Sequence, residues 1–171
     1  MKVTPLSIRR KLALEIARYL EKQQIKEHPL RQLFWECTLR CNLNCRHCGS
    51  DCKKIAGTKD MPLEDFLRVL DSVAKKTDPH RVMIVVTGGE PLMRKDLEKC
   101  GREIYRRGFP WGMVTNGLFM TRERLDALMA SGLHSATVSL DGFATDHNWM
   151  RGNLHSFDRA VDAIRMMVET P

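Results

Sequence analysis

The sequence predicts an α/β protein built on a parallel sheet. Four short β-prone runs alternate with segments whose apolar residues recur at helical spacing, giving four strand–helix units in succession. Every polar or glycine-rich motif falls just after one of those runs. The motifs therefore share the carboxyl end of the sheet, where open α/β folds and α/β barrels place their sites.

Taken in order, residues 6–27 read as an amphipathic helix through Ile8, Leu12, Ile16, Ala17, Leu20 and Ile25, ended by Pro29. It precedes the first strand and is expected to pack on the outside of the fold. Residues 31–37 form the first strand, followed by a cysteine-rich loop to about residue 60. Asp60 is the expected N-cap of a helix that Pro62 opens and that runs to about Thr77, with Leu63, Phe66, Leu67, Leu70 and Val73 as its buried stripe. Val82–Val86 is a continuous apolar run, as expected of a parallel strand covered on both faces. A helix follows from about Arg94 to Arg107, stopped by Gly108. Trp111–Thr115 is the third strand. Thr121 caps a helix to Ser131, which Gly132 stops. Ala136–Leu140 is the fourth strand, and Ser156 caps a last helix carrying Phe157, Ala160, Val161, Ile164 and Met167.

The 171 residues are 43% hydrophobic and 29% charged, an ordinary globular balance with room for a real core. No apolar run approaches the roughly 20 residues that span a bilayer, and no signal peptide is evident, so neither a membrane partner nor export is expected. The net charge of +7 is scattered over helices as Arg9-Arg10-Lys11, Lys75-Lys76 and Arg106-Arg107, without a run of five, so nucleic acid is not an expected partner either. A reducing cytoplasm is the expected compartment.

The chemistry concentrates in Cys41-Asn42-Leu43-Asn44-Cys45-Arg46-His47-Cys48. Structural zinc takes four ligands, usually as two separated pairs, and this triplet lacks a distant pair, although Cys52 or His47 offers a fourth ligand. An iron–sulfur cluster also uses cysteine thiolates. Three thiolates without an obvious fourth leave one iron open, which suggests chemistry rather than structure. Cys37 and Cys100 read as buried neutral thiols. Three further strand ends carry polar motifs. Gly88-Gly89-Glu90-Pro91 couples two residues without Cβ to a carboxylate that can accept from an ammonium group. Thr115-Asn116-Gly117 presents an amide that donates and accepts. Ser139 and Asp141 fall on one side of the fourth strand by period-two alternation. His134, His147 and His155 show no ligand spacing and receive no role.

CNLNCRHC resembles the CxxxCxxC signature of the radical S-adenosylmethionine (radical SAM) enzymes, with His47 at a position that is commonly aromatic there. GGEP, TNG and the S-x-D segment resemble that family's later strand-end motifs. The resemblance covers the chain from about residue 33 onward. It implies a partial TIM-type (β/α) barrel, with residues 1–30 as an N-terminal helical extension and 31–171 as the radical SAM core. It implies that Cys41, Cys45 and Cys48 hold a 4Fe–4S cluster and that S-adenosyl-L-methionine chelates the open iron. Gly88, Gly89, Glu90, Asn116, Ser139, Asp141 and Arg151 would bind that cofactor: Glu90 at its amino group, Arg151 at its carboxylate. The implied activity is reductive cleavage of S-adenosylmethionine to a 5′-deoxyadenosyl radical that abstracts hydrogen from a substrate. The branch it most resembles carries a C-terminal SPASM domain, which implies a peptide or protein substrate and an electron donor such as flavodoxin or ferredoxin. The family core has six strand–helix units against four here. A truncated chain with an unpaired strand at its rim is therefore expected. Other readings are a zinc-binding module and an inactive remnant. Cys52 could be a spectator, a second-sphere thiol, or a fourth ligand that would block the cofactor.

Overall fold

A computed structural model describes residues 7–50 and 52–170. The chain divides into two compact units, Met1–Arg31 and Gln32–Pro171. Among the described residues the first unit contributes one helix, α1 (Ile8–Glu27). No helix among them is long and apolar enough to cross a membrane.

The second unit is a four-stranded parallel sheet in the order β1-β2-β3-β4, built from β1 (Gln32–Thr38), β2 (Met83–Gly88), β3 (Trp111–Thr115) and β4 (Leu133–Val138). Helices α2 (Leu63–Ala74), α3 (Leu97–Arg106) and α4 (Arg122–Ala130) connect successive strands. After β4 come α5 (Ala144–Arg151) and α6 (Ser156–Val168). Strands that follow one another in both sequence and space, all parallel, are the arrangement from which an α/β barrel is built.

Burial follows the pleat. Trp35 and Cys37 on β1, Ile84 and Val86 on β2, and Trp111 and Met113 on β3 form one core with Phe66, Leu70, Leu97, Ile104, Leu125 and Leu128 of the helices. Trp35 stacks on Phe66 with ring centroids 4.0 Å apart, and the buried guanidinium of Arg94 lies 5.0 Å from the centre of the Trp35 ring. The opposite face is open. Phe34 and Glu36 are exposed, and Met83 and Val85 are only half-buried. This corrects the expectation that β2 is covered on both faces. Its continuous apolar run serves a helix-covered face on one side and an uncovered face on the other.

Three further expectations change. Asp60 does not cap α2, whose N-cap Pro62 makes no side-chain bond. Instead Asp60 accepts from Thr38 Oγ1 at 2.7 Å and from Arg40 Nη2 at 2.5 Å. β4 runs from Leu133 to Val138, not from 136 to 140, so Ser139 and Asp141 lie beyond the strand and strand alternation does not set their directions. An unforeseen helix, α5, follows, and His155 rather than Ser156 is the N-cap position of α6.

Candidate active site

The cysteine loop is fastened to the carboxyl ends of β1 and β2. Gly89 N–H donates to Thr38 O at 2.7 Å, Glu90 N–H to Arg40 O at 2.9 Å, and Cys41 N–H to Lys53 O at 2.8 Å. The two glycines are required by this approach. A Cβ on Gly88 would lie 2.2 Å from Thr38 O, and one on Gly89 would lie 2.3 Å from Arg40 O. Gly88 also has φ +125, which side chains other than glycine rarely adopt. The end of β1 excludes a Cβ at Gly88, and the start of the cysteine loop, Arg40 and Cys41, excludes one at Gly89. Asp60 braces the same loop from below. Burial alone would raise its carboxyl, but the Arg40 and Thr38 hydrogen bonds outweigh burial and hold it below the usual range.

Loop and strand ends enclose a cavity of about 180 Å³. Cys41, Cys45, Cys48, Gly88, Gly89, Asn116, Ser139 and Arg151 all line it, joined by His47 and Cys52. All six cysteines are free; Cys41 is buried, Cys45 half-buried and Cys48 exposed. Burial pushes the Cys41 thiol up, and pushes Cys52 up to about 11 and Cys37 and Cys100 up to about 12. Cys37 and Cys100 are thus neutral core thiols.

Glu90 and Asp141 do not line the cavity; they hold residues that do. Glu90 is fully buried. Its Oε1 accepts from Thr115 Oγ1 at 2.7 Å and from Leu92 N–H at 3.1 Å, and its Oε2 accepts from Asn116 N–H at 2.7 Å. Burial raises its pKa against those three donors. Asn116, fixed in this way, places its amide on the cysteine loop: Nδ2 is 2.7 Å from Asn42 Oδ1 and 3.9 Å from Cys41 Sγ. Asp141 accepts from two of the three nitrogens of Arg151, at 2.5 Å from Nε and 3.0 Å from Nη2. Burial would raise the Asp141 carboxyl, but Arg151 outweighs it and holds the group below its ordinary value. The remaining arm of Arg151, Nη1, points to Cys45 Sγ at 3.8 Å.

His147 was given no role by its spacing, yet it organises this corner. It is buried, its Nδ1 accepts from Asp141 N–H at 3.2 Å, and its Nε2 lies 3.0 Å from Ser156 Oγ. Since Nδ1 accepts, the ring proton sits on Nε2 and is donated to the serine. Burial, assisted by the Arg151 charge, lowers its pKa, which favours the neutral ring. Arg94 was also missed. Its Nη1 ties Cys37 O (2.8 Å) to Met61 O (2.9 Å), joining the end of β1 to the start of α2. Neither an isolated buried arginine nor a lone histidine in a segment without an apolar stripe carries a sequence signal of such a role.

The residues present fit a cluster. Three free thiols share one cavity, and the buried Nδ2 of Asn42, beside Cys41, has no acceptor among the described residues. An iron–sulfur group would bring sulfur acceptors to that corner. Among the described residues no three His, Cys, Asp or Glu side chains are grouped to hold a single metal ion. A cubane places its thiolates on different irons and therefore uses a wider set.

This chain belongs to the radical SAM superfamily, whose family model matches residues 35–170. Members use a 4Fe–4S cluster and S-adenosylmethionine, the cofactors that the resemblance implied. Among its relatives, the Fe-coproporphyrin III synthase of Methanosarcina barkeri is 35% identical over 74% of this chain and 31% of the relative. The PqqA peptide cyclase of Rhodopseudomonas palustris is 32% identical over 67% of this chain and 29% of the relative. SuiB of Streptococcus suis bound to S-adenosylmethionine superposes with a TM-score of 0.64 at 17% identity, over 94% of this chain and 37% of that one. The chain thus spans about a third of the length of the curated relatives it matches.

Proposed function

We propose that this chain supplies the cluster- and cofactor-binding part of a radical SAM enzyme. The observation that carries the reading is that Cys41, Cys45 and Cys48, in the loop after β1, open onto the same cavity as the ends of β2 and β3 and as Ser139, just after β4, within the matched region. In this reading the three cysteines hold the 4Fe–4S cluster, and Gly88, Gly89, Asn116, Ser139 and Arg151 form the wall against S-adenosylmethionine. When bound, the pair supplies one-electron reductive cleavage of the sulfonium for hydrogen-atom abstraction from a substrate. The chain's own part is alignment. Glu90 fixes Asn116, Asp141 fixes Arg151, and the Gly88-Gly89 turn seats the cysteine loop against β2. A flavodoxin or ferredoxin would deliver the electron, and a reducing cytoplasm would preserve the cluster.

A peptide or protein substrate is supported by the likeness to the PqqA peptide cyclase and to SuiB, which is also known bound to its precursor peptide SuiA. The second reading is a porphyrin-type substrate, favoured by the 35% identity to the Fe-coproporphyrin III synthase. The family-level reading is tested by anaerobic reconstitution with iron and sulfide, then electron paramagnetic resonance of the reduced protein with and without S-adenosylmethionine. The expected result is a cluster signal that shifts with the cofactor. A colourless protein that retains zinc instead would overturn it. Stimulation of 5′-deoxyadenosine formation by peptides or by iron coproporphyrin then separates the two substrate classes.

A further inference from the structure

The Arg151 guanidinium is committed before any cofactor arrives. Two of its nitrogens are taken by Asp141 and the third by Cys45 Sγ. These bonds use three of its five N–H groups, including the Nε–Nη2 side of the fork, and fix the plane of the guanidinium against Asp141 and Cys45. The contact to Cys45 is built from both sides. Arg46 N–H donates to Met150 O at 2.8 Å, and Arg46 Nε donates to Trp149 O at 3.0 Å. The Arg46 guanidinium also lies 4.7 Å from the centre of the Trp149 ring. On the other flank, Gly152 ends α5 in the left-handed region at φ +64, and a Cβ there would stand 3.1 Å from Asn44 O. Residues 44 and 46 are thus seated against residues 149, 150 and 152, and Arg151 is left opposite Cys45. His147 completes the support by accepting from the Asp141 backbone.

We propose that Arg151, locked by Asp141, is a positioning residue that donates an N–H to the Cys45 thiolate and raises the reduction potential of the cluster held there. The inference rests on the cluster reading above. Hydrogen bonds to cluster sulfurs set such potentials: a donor stabilises the extra negative charge of the reduced state more than the oxidised state. Asn116 Nδ2, 3.9 Å from Cys41 Sγ, is a weaker donor of the same kind on the facing strand end.

The test is the midpoint potential of the reconstituted protein measured without S-adenosylmethionine, so that no cofactor carboxylate is present. The double variant Arg151→Met/Asp141→Asn removes one positive and one negative charge together, leaving net charge unchanged while deleting the donor. The reduced-to-oxidised ratio at a fixed potential should fall about tenfold, which is about 59 mV for a one-electron couple. Arg151→Lys, which keeps the charge and one donor, should recover part of the shift. Wild-type protein labelled with 15N-arginine should also show a 15N hyperfine coupling to the reduced cluster, a readout that depends on no variant's folding. An unchanged potential in a cluster-loaded double variant, or no 15N coupling in the wild type, overturns the inference and leaves the cluster reading standing. A variant that loses only affinity for S-adenosylmethionine, at unchanged potential, returns Arg151 to the cofactor carboxylate. No cluster in the wild-type protein removes both.

Discussion

Glu90→Gln separates two roles for one carboxylate. If Glu90 mainly holds the cofactor's amino group, the substitution weakens cofactor binding and leaves the apoprotein's stability alone. The structure gives the opposite expectation. Oε1 serves Thr115 and Leu92, and Oε2 serves Asn116, all within a fully buried site. A carboxamide has one oxygen. With that oxygen toward Thr115 and Leu92, its NH₂ faces the Asn116 N–H across 2.7 Å, donor against donor. Turned over, the NH₂ can donate to Thr115 Oγ1 but confronts the Leu92 N–H. Either way one backbone N–H loses its acceptor, at about 1–3 kcal/mol, and the surviving bonds lose their charge assistance. The sum is about 3 kcal/mol. For a chain of this size each kcal/mol moves the melting temperature by about 2–4 °C, so a fall of about 10 °C is expected. The assay is thermal unfolding of the protein without iron or cofactor, followed by near-UV circular dichroism. A melt within about 2 °C of the wild type would refute the reasoning and leave Glu90 free to serve the cofactor.

Gly89→Ala should damage the cysteine loop rather than the core. Its Cβ would lie 2.3 Å from Arg40 O, so the Glu90 N–H to Arg40 O bond must break; iron incorporation should drop while far-UV circular dichroism is retained. Single alanine variants at Cys41, Cys45 and Cys48 should each lose the cluster, whereas Cys52→Ala should keep its iron and sulfide; loss in the Cys52 variant would make that thiol a ligand. His147 gives a pH dependence. Its folded-state pKa lies below the unfolded value of about 6.5, so the unfolded chain binds more protons as pH falls through that value. Stability should therefore rise with pH from about 5 and level off above about 7. His147→Gln should flatten that slope in urea midpoints, and an identical slope in both proteins would exclude the residue.

The sheet was legible because its signals are local and redundant. The Val82–Val86 run, the Trp111–Thr115 run and the glycines at 108 and 132 mark their elements without reference to anything distant. The fourth strand was placed three residues late at its start because Leu133-His134-Ser135 has no continuous apolar character. In the structure only Leu133 of that triplet is buried, while His134 and Ser135 lie exposed on a rim strand. α5 was missed for a related reason. Of its eight residues only His147 is buried, so its sequence carries no apolar stripe for a periodicity argument to find. Tertiary contacts hold it in place instead: Asn148 Oδ1 accepts from Phe157 N–H at 2.8 Å and His147 bonds Ser156, both on α6, while Arg46 donates to Trp149 O and Met150 O.

The site was legible at the level of which segments meet, because a parallel sheet brings every strand's carboxyl end to one rim. It was not legible at the level of which atom faces the cavity. Glu90 and Asp141 are the two most conspicuous polar residues of their motifs, and neither lines it. The buried Glu90 carboxylate, satisfied by three internal donors, costs less to bury than one left waiting for a ligand, and the exposed Asp141 is paired with Arg151; each fixes a neighbour. Asn116 and Arg151, fixed in that way, are the groups presented to the cysteines. The acidic members of the strand-end motifs are thus best read as the means of aiming donors at sulfur. That reading makes the potential of the cluster, rather than affinity for the cofactor alone, the property these motifs should control.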